Sequence, residues 1–168
     1  MTNKAPHLPI GGSFHPTDHH GCDVTQATYL GTHALLFFGF THCRVVCPRA
    51  LAKLSGVLDN LGPLADKVQA LYVTVDPERD TPDVMRAFLA AYPRFTGLTG
   101  TRVQIDDAKA AFKVFAQRAT DPLDAAGYAV PHTAISYLID PAGDCTAHFP
   151  DVLSAQEILA KLKPHLAK

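Results

Sequence analysis

The chain has 168 residues, 47% of them hydrophobic, which is typical of one globular domain with a full core. Fifteen Lys and Arg residues against sixteen Asp and Glu residues give a formal net charge of −1 without a block of like charge, which argues against a nucleic-acid partner. The longest apolar run, Ala34 to Phe40, is far shorter than the roughly 20 residues of a membrane-spanning helix. We therefore expect a single domain over residues 1–168, with residues 1–9 flexible, no membrane segment in this chain and a monomeric state.

The first predicted elements are a hairpin, a strand and a helix. Gly11 to Thr25 is predicted as a hairpin around the turn residues Asp18 to Gly21, and His33 to Phe40 as a buried strand. A helix is predicted from Pro48 to the stop signal Gly62-Pro63. Its apolar residues recur at helical spacing: Leu51, Leu54, Val57, Leu58 and Leu61.

The middle of the chain repeats the alternation of strand and helix. Val68 to Val75 is predicted as a second buried strand, and Thr81 as the N-cap of a helix that continues through Ala91. After the segment Gly97 to Gly100, the pattern from Val103 to Gln117 predicts another helix, followed by a loop.

The last elements are a hairpin and a helix. His132 to Ile139 is predicted as a strand, Asp140 to Gly143 as a turn and Cys145 to Phe149 as the antiparallel partner strand. Ser154 and Glu157 form a capping-box pattern that opens a terminal helix. The order of elements predicts a thioredoxin-like α/β sandwich with an N-terminal β-hairpin and an inserted helix.

Cys43 and Cys47 lie four residues apart where the first buried strand passes into a helix. If this turn is helical, both sulfur atoms share one face and can bind one soft metal ion or each other. A helix N-terminus favours the thiolate that both reactions need. In the predicted fold the strand that starts at His132 lies beside the first buried strand or near it, so its imidazole could reach the thiols. The alternative is that the cysteines are small buried hydrophobes and His132 is a structural histidine.

Other histidines and cysteines have less specific interpretations. His42, next to Cys43, is interpreted as a packing or hydrogen-bonding residue because adjacent side chains diverge. His15, His19 and His20 are interpreted as a solvated cluster, with a weak metal site as the alternative. Cys22 and Cys145 are either buried thiols or a disulfide pair.

Several motifs, in order along the chain, resemble those of the Sco/SenC family of copper-binding assembly proteins for cytochrome c oxidase. The resemblance runs from about Ile10 to Leu162. The matching segments are Gly11 to Phe14, Phe37 to Cys43, Val46 to Pro48, Val73 to Pro82, Gly97 to Gly100, and His132 ahead of Tyr137 to Asp140.

The resemblance implies a copper site made by Cys43, Cys47 and His132, with Asp80 either supporting these ligands or capping the helix that follows it. Two thiolates suit Cu(I), and an added imidazole lets the same site hold Cu(II), although three ligands and water would also satisfy zinc. It also implies a periplasmic, membrane-anchored native protein. Its partners would be the copper-bearing subunit of cytochrome oxidase, other copper chaperones and thiol reductants.

The chain departs from the family pattern beside these ligands. Arg44 and Val45 stand where the family commonly has Pro-Asp, and Pro131 stands where it commonly has Asp. Arg44 should favour thiolate, and Pro131 occupies the place where thioredoxin-like folds often have a cis-proline. The prediction is a copper metallochaperone or thiol-preparing factor, and not a turnover enzyme. The alternative is a thiol:disulfide oxidoreductase or redox sensor that uses Cys43 and Cys47 as a redox pair.

Overall fold

The computed structural model describes residues 17–18, 31–42, 46–112, 114, 119–120, 128–129 and 135–167. The strands in these ranges are β1 Thr17–Asp18, β2 His33–Gly39, β3 Val68–Thr74, β4 Phe95–Thr99, β5 Ala119–Thr120, β6 Tyr128–Ala129, β7 Ile135–Ile139 and β8 Cys145–Pro150. The α-helices are α1 Val46–Asp59, α2 Pro82–Leu89, α3 Arg102–Phe112 and α4 Ala155–Leu166. A 3-10 helix covers Gly62–Lys67.

The central sheet is mixed. Its six strands lie in the order β1-β4-β3-β2-β7-β8, while β5 and β6 form a second, two-stranded sheet. β2, β3 and β4 are parallel and are joined through α1 and α2, whereas β7 is antiparallel to β2 and β8 to β7. This arrangement confirms the predicted thioredoxin-like α/β fold and the predicted placement of the strand from the His132 region beside β2.

Helices pack on both faces of the sheet and bury two apolar clusters. One cluster joins the sheet to α1, α2 and α4, and includes Leu35, Phe37, Cys47, Leu51, Leu54, Tyr72, Met85, Leu138, Phe149, Ile158 and Leu162. The other joins the opposite face to α3, and includes Leu36, Phe38, Leu71, Val73, Leu98, Ile105, Ala108, Phe112 and Tyr137. Consecutive residues of β2 and β3 alternate between the two clusters, as the period of a strand with two covered faces requires.

Local signals in the sequence explain the helix starts. Thr81 caps α2 by accepting a hydrogen bond from the backbone N–H of Val84, and Ser154 and Glu157 form the predicted capping box at α4. The turn between β7 and β8 is also as predicted, with Gly143 at a φ of 93°. No helix in the described part of the chain has both the length and the apolar character needed to cross a bilayer.

The structure also differs from the predictions. β4 was not predicted as a strand, α1 begins at Val46 rather than Pro48, and α3 ends at Phe112 with residue 114 no longer helical. Asp18 belongs to a strand that pairs with β4, not to a turn. The rest of the predicted N-terminal hairpin lies outside the described residues, and the single-domain organisation stays a prediction.

Candidate functional site

The candidate site lies at the edge of the sheet where the parallel strands end. β2 ends at Gly39, and its carbonyl accepts a 2.8 Å hydrogen bond from the backbone N–H of Val75, just past the end of β3. β7 begins at the same edge, because Ser136 pairs with Phe37. The end of β2, which precedes the two candidate cysteine ligands in sequence, therefore lies beside the start of β7, which follows His132.

Cys47 lies in the first turn of α1, and its residue is fully buried. The helix begins at Val46, one residue earlier, so Cys47 is among the first-turn residues whose backbone N–H groups have no intrahelical acceptor. Pro48 follows within the same turn, where proline is tolerated because its position needs no intrahelical N–H donor. The sequence predicted this location. Cys43 lies outside the described residues, so a shared face for the two sulfur atoms stays a prediction.

Gly39 leaves the space that the Cys47 sulfur needs. A Cβ atom added to Gly39 would lie 2.7 Å from Cys47 Sγ and 2.6 Å from the hydroxyl oxygen of Tyr72. Real Cβ atoms essentially never approach other atoms so closely. The end of β2 therefore needs glycine for close approach, and the thiol and the phenol hydroxyl both occupy the volume that a side chain would take.

Asp80 fixes the loop that leads to the predicted cysteine ligands. Its carboxylate accepts hydrogen bonds from the backbone N–H of Thr41 at 3.1 Å and from the Thr41 hydroxyl at 2.5 Å. A third comes from the buried Thr74 hydroxyl at 2.7 Å. The backbone carbonyl of Asp80 accepts one more from Thr99. One fully buried residue thereby joins the loops that follow β2 and β3 to the end of β4.

The environment of Asp80 opposes its negative charge. Burial raises the pKa of this carboxyl, the hydrogen bonds from Thr41 and Thr74 lower it in part, and the nearby charge of Asp76 raises it again. The net result is a pKa above the ordinary value. Thr81, not Asp80, supplies the N-cap of α2, so helix capping does not explain the aspartate.

Asp76, Asp80 and His42 form a cluster that the sequence did not predict. One ligand atom from each lies within 4.8 Å of the others, close enough for all three to reach one cation. Asp76 is, however, paired with Arg79, whose Nε donates to the carboxylate at 2.5 Å, and Asp80 is occupied by its threonine donors. The Arg79 guanidinium also lies over the Phe40 ring, 5.9 Å from its centroid. The sequence could have predicted the cluster, because its three residues follow the ends of the adjacent parallel strands β2 and β3.

Several predicted residues lie outside the described part of the chain. They are His132, Pro131, Arg44, Val45, Cys22, His15, His19 and His20. His132 precedes β7 by three residues in sequence, and its role as a ligand stays a prediction.

Cys145 is far from this edge. It pairs with Ile139, which itself pairs with Ala34 near the start of β2, at the opposite end of the sheet. It is a free, half-buried thiol whose sulfur donates to the carbonyl of Ala147 at 3.7 Å. Burial raises the pKa of this thiol, and the hydrogen bond to Ala147 offsets only part of the effect. Cys145 therefore has no place in the candidate site.

Comparison with known proteins assigns the family. The SCO1/SenC family model matches residues 2–167, so this chain belongs to the SCO1/SenC family. It is 35% identical over 157 residues to the SCO2-like protein of Rickettsia prowazekii, covering 93% of this chain and 77% of the relative. It is 36% identical to the human mitochondrial SCO1 homologue, of which it spans only 53%.

A solved structure also aligns with almost the whole chain. ScoI from Bradyrhizobium japonicum, determined with copper bound, shares 39% sequence identity and superimposes with a TM-score of 0.83. The alignment covers 93% of this chain and 99% of that one. The thioredoxin-like fold derived above is thus the fold of the family.

Proposed function

We propose that this chain is a copper metallochaperone, or a thiol-preparing factor, for assembly of the binuclear copper site of a terminal cytochrome oxidase. The observation that carries the proposal is the buried position of Cys47 in the first turn of α1, at the edge where β2 ends and β7 begins. Family membership and the copper-bound ScoI relative support copper as the metal. Copper is the cargo of this function.

The proposed ligands are Cys43, Cys47 and His132. Two thiolates favour Cu(I) over harder cations, and a third, imidazole, ligand lets the same residues hold Cu(II). Both cysteines must lose their protons to bind the metal, so copper binding releases protons. We propose that Asp80 acts indirectly, by holding Thr41 two residues before Cys43.

The test is transfer of copper to a copper-free soluble domain of the copper-bearing oxidase subunit. The copper-loaded protein should lose its metal as the absorption of the binuclear site grows in the acceptor. Cys47→Ala should abolish transfer, whereas Cys145→Ala, at the opposite end of the sheet, should leave it unchanged. Failure of the wild-type protein both to deliver copper and to reduce the oxidised cysteines of the acceptor would overturn the proposal.

The second candidate function is thiol:disulfide oxidoreduction, favoured by a buried cysteine in the first turn of a helix in a thioredoxin-like fold. Cys43 and Cys47 would pass two electrons and two protons to a partner disulfide through a mixed disulfide, and would themselves become a disulfide. A disulfide substrate unrelated to the oxidase, such as insulin, separates the two functions, because a thiol-preparing factor acts on the oxidase acceptor. Reduction of insulin by the copper-free protein would support the general redox role.

We further propose a periplasmic, membrane-anchored native protein that acts as a monomer. The name of the human relative places that protein in the mitochondrion. Cell fractionation should recover the protein with the membranes. A protease added from the periplasmic side should digest it. Recovery from the cytoplasm would contradict the proposal.

A further inference from the structure

We propose that the hydroxyl group of Tyr72 is a positioning group for Cys47, donating a hydrogen bond to its sulfur both in the reduced, metal-free protein and when Cys47 is a copper ligand. The inference rests on the proposed function for the identity of the metal. It assigns to Tyr72 a task that neither the cysteine motif nor the predicted ligand set contains. Its evidence is the shared space above Gly39, the fixed ring of Tyr72 and the chemistry of thiolate sulfur.

The hydroxyl and the sulfur converge on one point. The position of a Cβ on Gly39 lies 2.6 Å from Tyr72 Oη and 2.7 Å from Cys47 Sγ, so the two atoms cannot be farther apart than the sum of these distances. Both residues are fully buried. The phenol proton can rotate about its C–O bond and the sulfur about the Cα–Cβ bond of Cys47, and side-chain rotation is how the proposed hydrogen bond forms.

Two aromatic neighbours hold the ring of Tyr72. It stacks on Phe37, its partner in the β2–β3 register, with centroids 6.2 Å apart and an interplanar angle of 16°. The ring also stacks on Phe88 of α2, with centroids 5.7 Å apart and an interplanar angle of 26°. The hydroxyl therefore cannot swing towards solvent. A buried phenol hydroxyl requires a hydrogen-bond acceptor, and the sulfur of Cys47 borders the same space.

A hydrogen bond to a metal-bound thiolate has a defined effect. It withdraws electron density from sulfur, so the sulfur donates less charge to copper. Cu(II) depends on that donation more than Cu(I), and hydrogen bonding around a cysteine sulfur is one of the factors that set the potential of copper sites. Tyr72 should accordingly shift the site towards Cu(I) and raise the energy of the sulfur-to-Cu(II) charge-transfer band.

The test is Tyr72→Phe, which removes only the hydroxyl and keeps both ring contacts. The matched control is Tyr137→Phe, a buried tyrosine in the apolar cluster on the opposite face of the sheet. Tyr72→Phe should bind copper with wild-type stoichiometry but show a charge-transfer band at lower energy. Its ratio of Cu(I) to Cu(II) affinity should fall about tenfold, which is ~59 mV for one electron. Tyr137→Phe should match the wild type in both.

A measurement without copper separates this inference from the proposed function. The infrared S–H band of Cys47 is measured in the reduced, metal-free protein that carries Cys145→Ala. The band is assigned to Cys47 because it disappears in Cys47→Ala. Its frequency should shift when Tyr72→Phe is added. A wild type that binds no copper would overturn the proposed function, and the infrared comparison would then decide the contact alone. An S–H band that does not shift would overturn the role of Tyr72. The role would also be overturned if copper-loaded Tyr72→Phe kept the wild-type energy of the charge-transfer band and the wild-type ratio of Cu(I) to Cu(II) affinity.

Discussion

Asp80 accepts two hydrogen bonds from Thr41, one from its backbone N–H and one from its hydroxyl, across a sequence separation of 39 residues. Thr41 is two residues before Cys43, and Asp80 immediately precedes the N-cap of α2. The two hydrogen bonds thus hold the loop that leads to the predicted cysteine ligands against the start of α2. Its loss should affect both the stability of the fold and the geometry of the site.

Removing the Asp80 carboxylate should destabilise the protein. Asp80→Ala removes the acceptor of the part-buried Thr41 donors and of the buried Thr74 hydroxyl, and should lower the free energy of unfolding by about 2–3 kcal/mol. It should also weaken copper binding about 10- to 100-fold, the usual effect of losing a group that orients metal ligands. Denaturant titration and chelator competition measure the two effects. The control is Asp83→Ala, an exposed carboxylate on α2; equal behaviour of the two variants would refute the role of Asp80.

Gly39→Ala should disturb the Cys47 sulfur, since the added Cβ would lie within 2.7 Å of both Cys47 Sγ and Tyr72 Oη. We expect a loss of about 1–3 kcal/mol in unfolding free energy and weaker copper binding, because neither the helix nor the stacked ring can retreat freely. Gly56→Ala in α1 is the matched control: its Cβ would meet nothing within 4 Å, and helix propensity should stabilise the protein by about 1 kcal/mol. Similar changes in the two variants would show that the space above Gly39 is not confined.

Asp151 should contribute stability that disappears in acid. Burial opposes its charge, but the hydrogen bonds and charges of Arg49 and Lys53 outweigh burial and lower the pKa of this carboxyl. Its contribution is therefore present above the ordinary pKa and is lost as the pH falls through the lower folded value. At neutral pH, Asp151→Asn should lower the free energy of unfolding by about 1 kcal/mol. Denaturant titrations from pH 7 downwards should show the two proteins converging below the ordinary pKa of 3.8; a constant difference would contradict this origin.

His33 should make the protein less stable in mild acid. Burial lowers the pKa of this imidazole; His165 and Lys67 lower it further, while Asp140 and a backbone hydrogen bond to Lys67 oppose the shift. The unfolded chain then binds more protons than the folded one between the lowered pKa and the ordinary 6.5, so stability rises with pH through that window. His33→Gln should lose less stability than the wild type between pH 7.5 and pH 5 in parallel denaturant titrations. An unchanged pH dependence would exclude His33 as its source.

Local sequence signals predicted most elements of the fold. The run from His33 to Gly39, the capping residue Thr81 and the capping box of Ser154 and Glu157 each specify a structure through residues close in sequence. β4 was missed because Phe95–Thr99 mixes glycine and threonine with apolar residues and lacks a strand pattern. It is a strand because β3 pairs with one of its edges and β1 with the other.

The candidate site was predictable only where its residues form a motif. The spacing of Cys43 and Cys47 indicated a thiol site at a strand-to-helix junction, and the structure has Cys47 there. Asp80 and Thr41 lie in loops that follow different strands, and Cys47 of α1 and Tyr72 of β3 come together only at the space above Gly39. No periodicity or local motif encodes such contacts, since they depend on how the strands align.

The central claim is that Cys47 binds copper, and anaerobic titration of the reduced protein with copper tests it most directly. Absorption and paramagnetic resonance spectra should show one copper per chain, with an intense sulfur-to-copper charge-transfer band for Cu(II). Cys47→Ala should lose that band and the tight binding, while Cys145→Ala should keep both. A Cys47→Ala variant that retains wild-type stoichiometry and the same band would contradict the account.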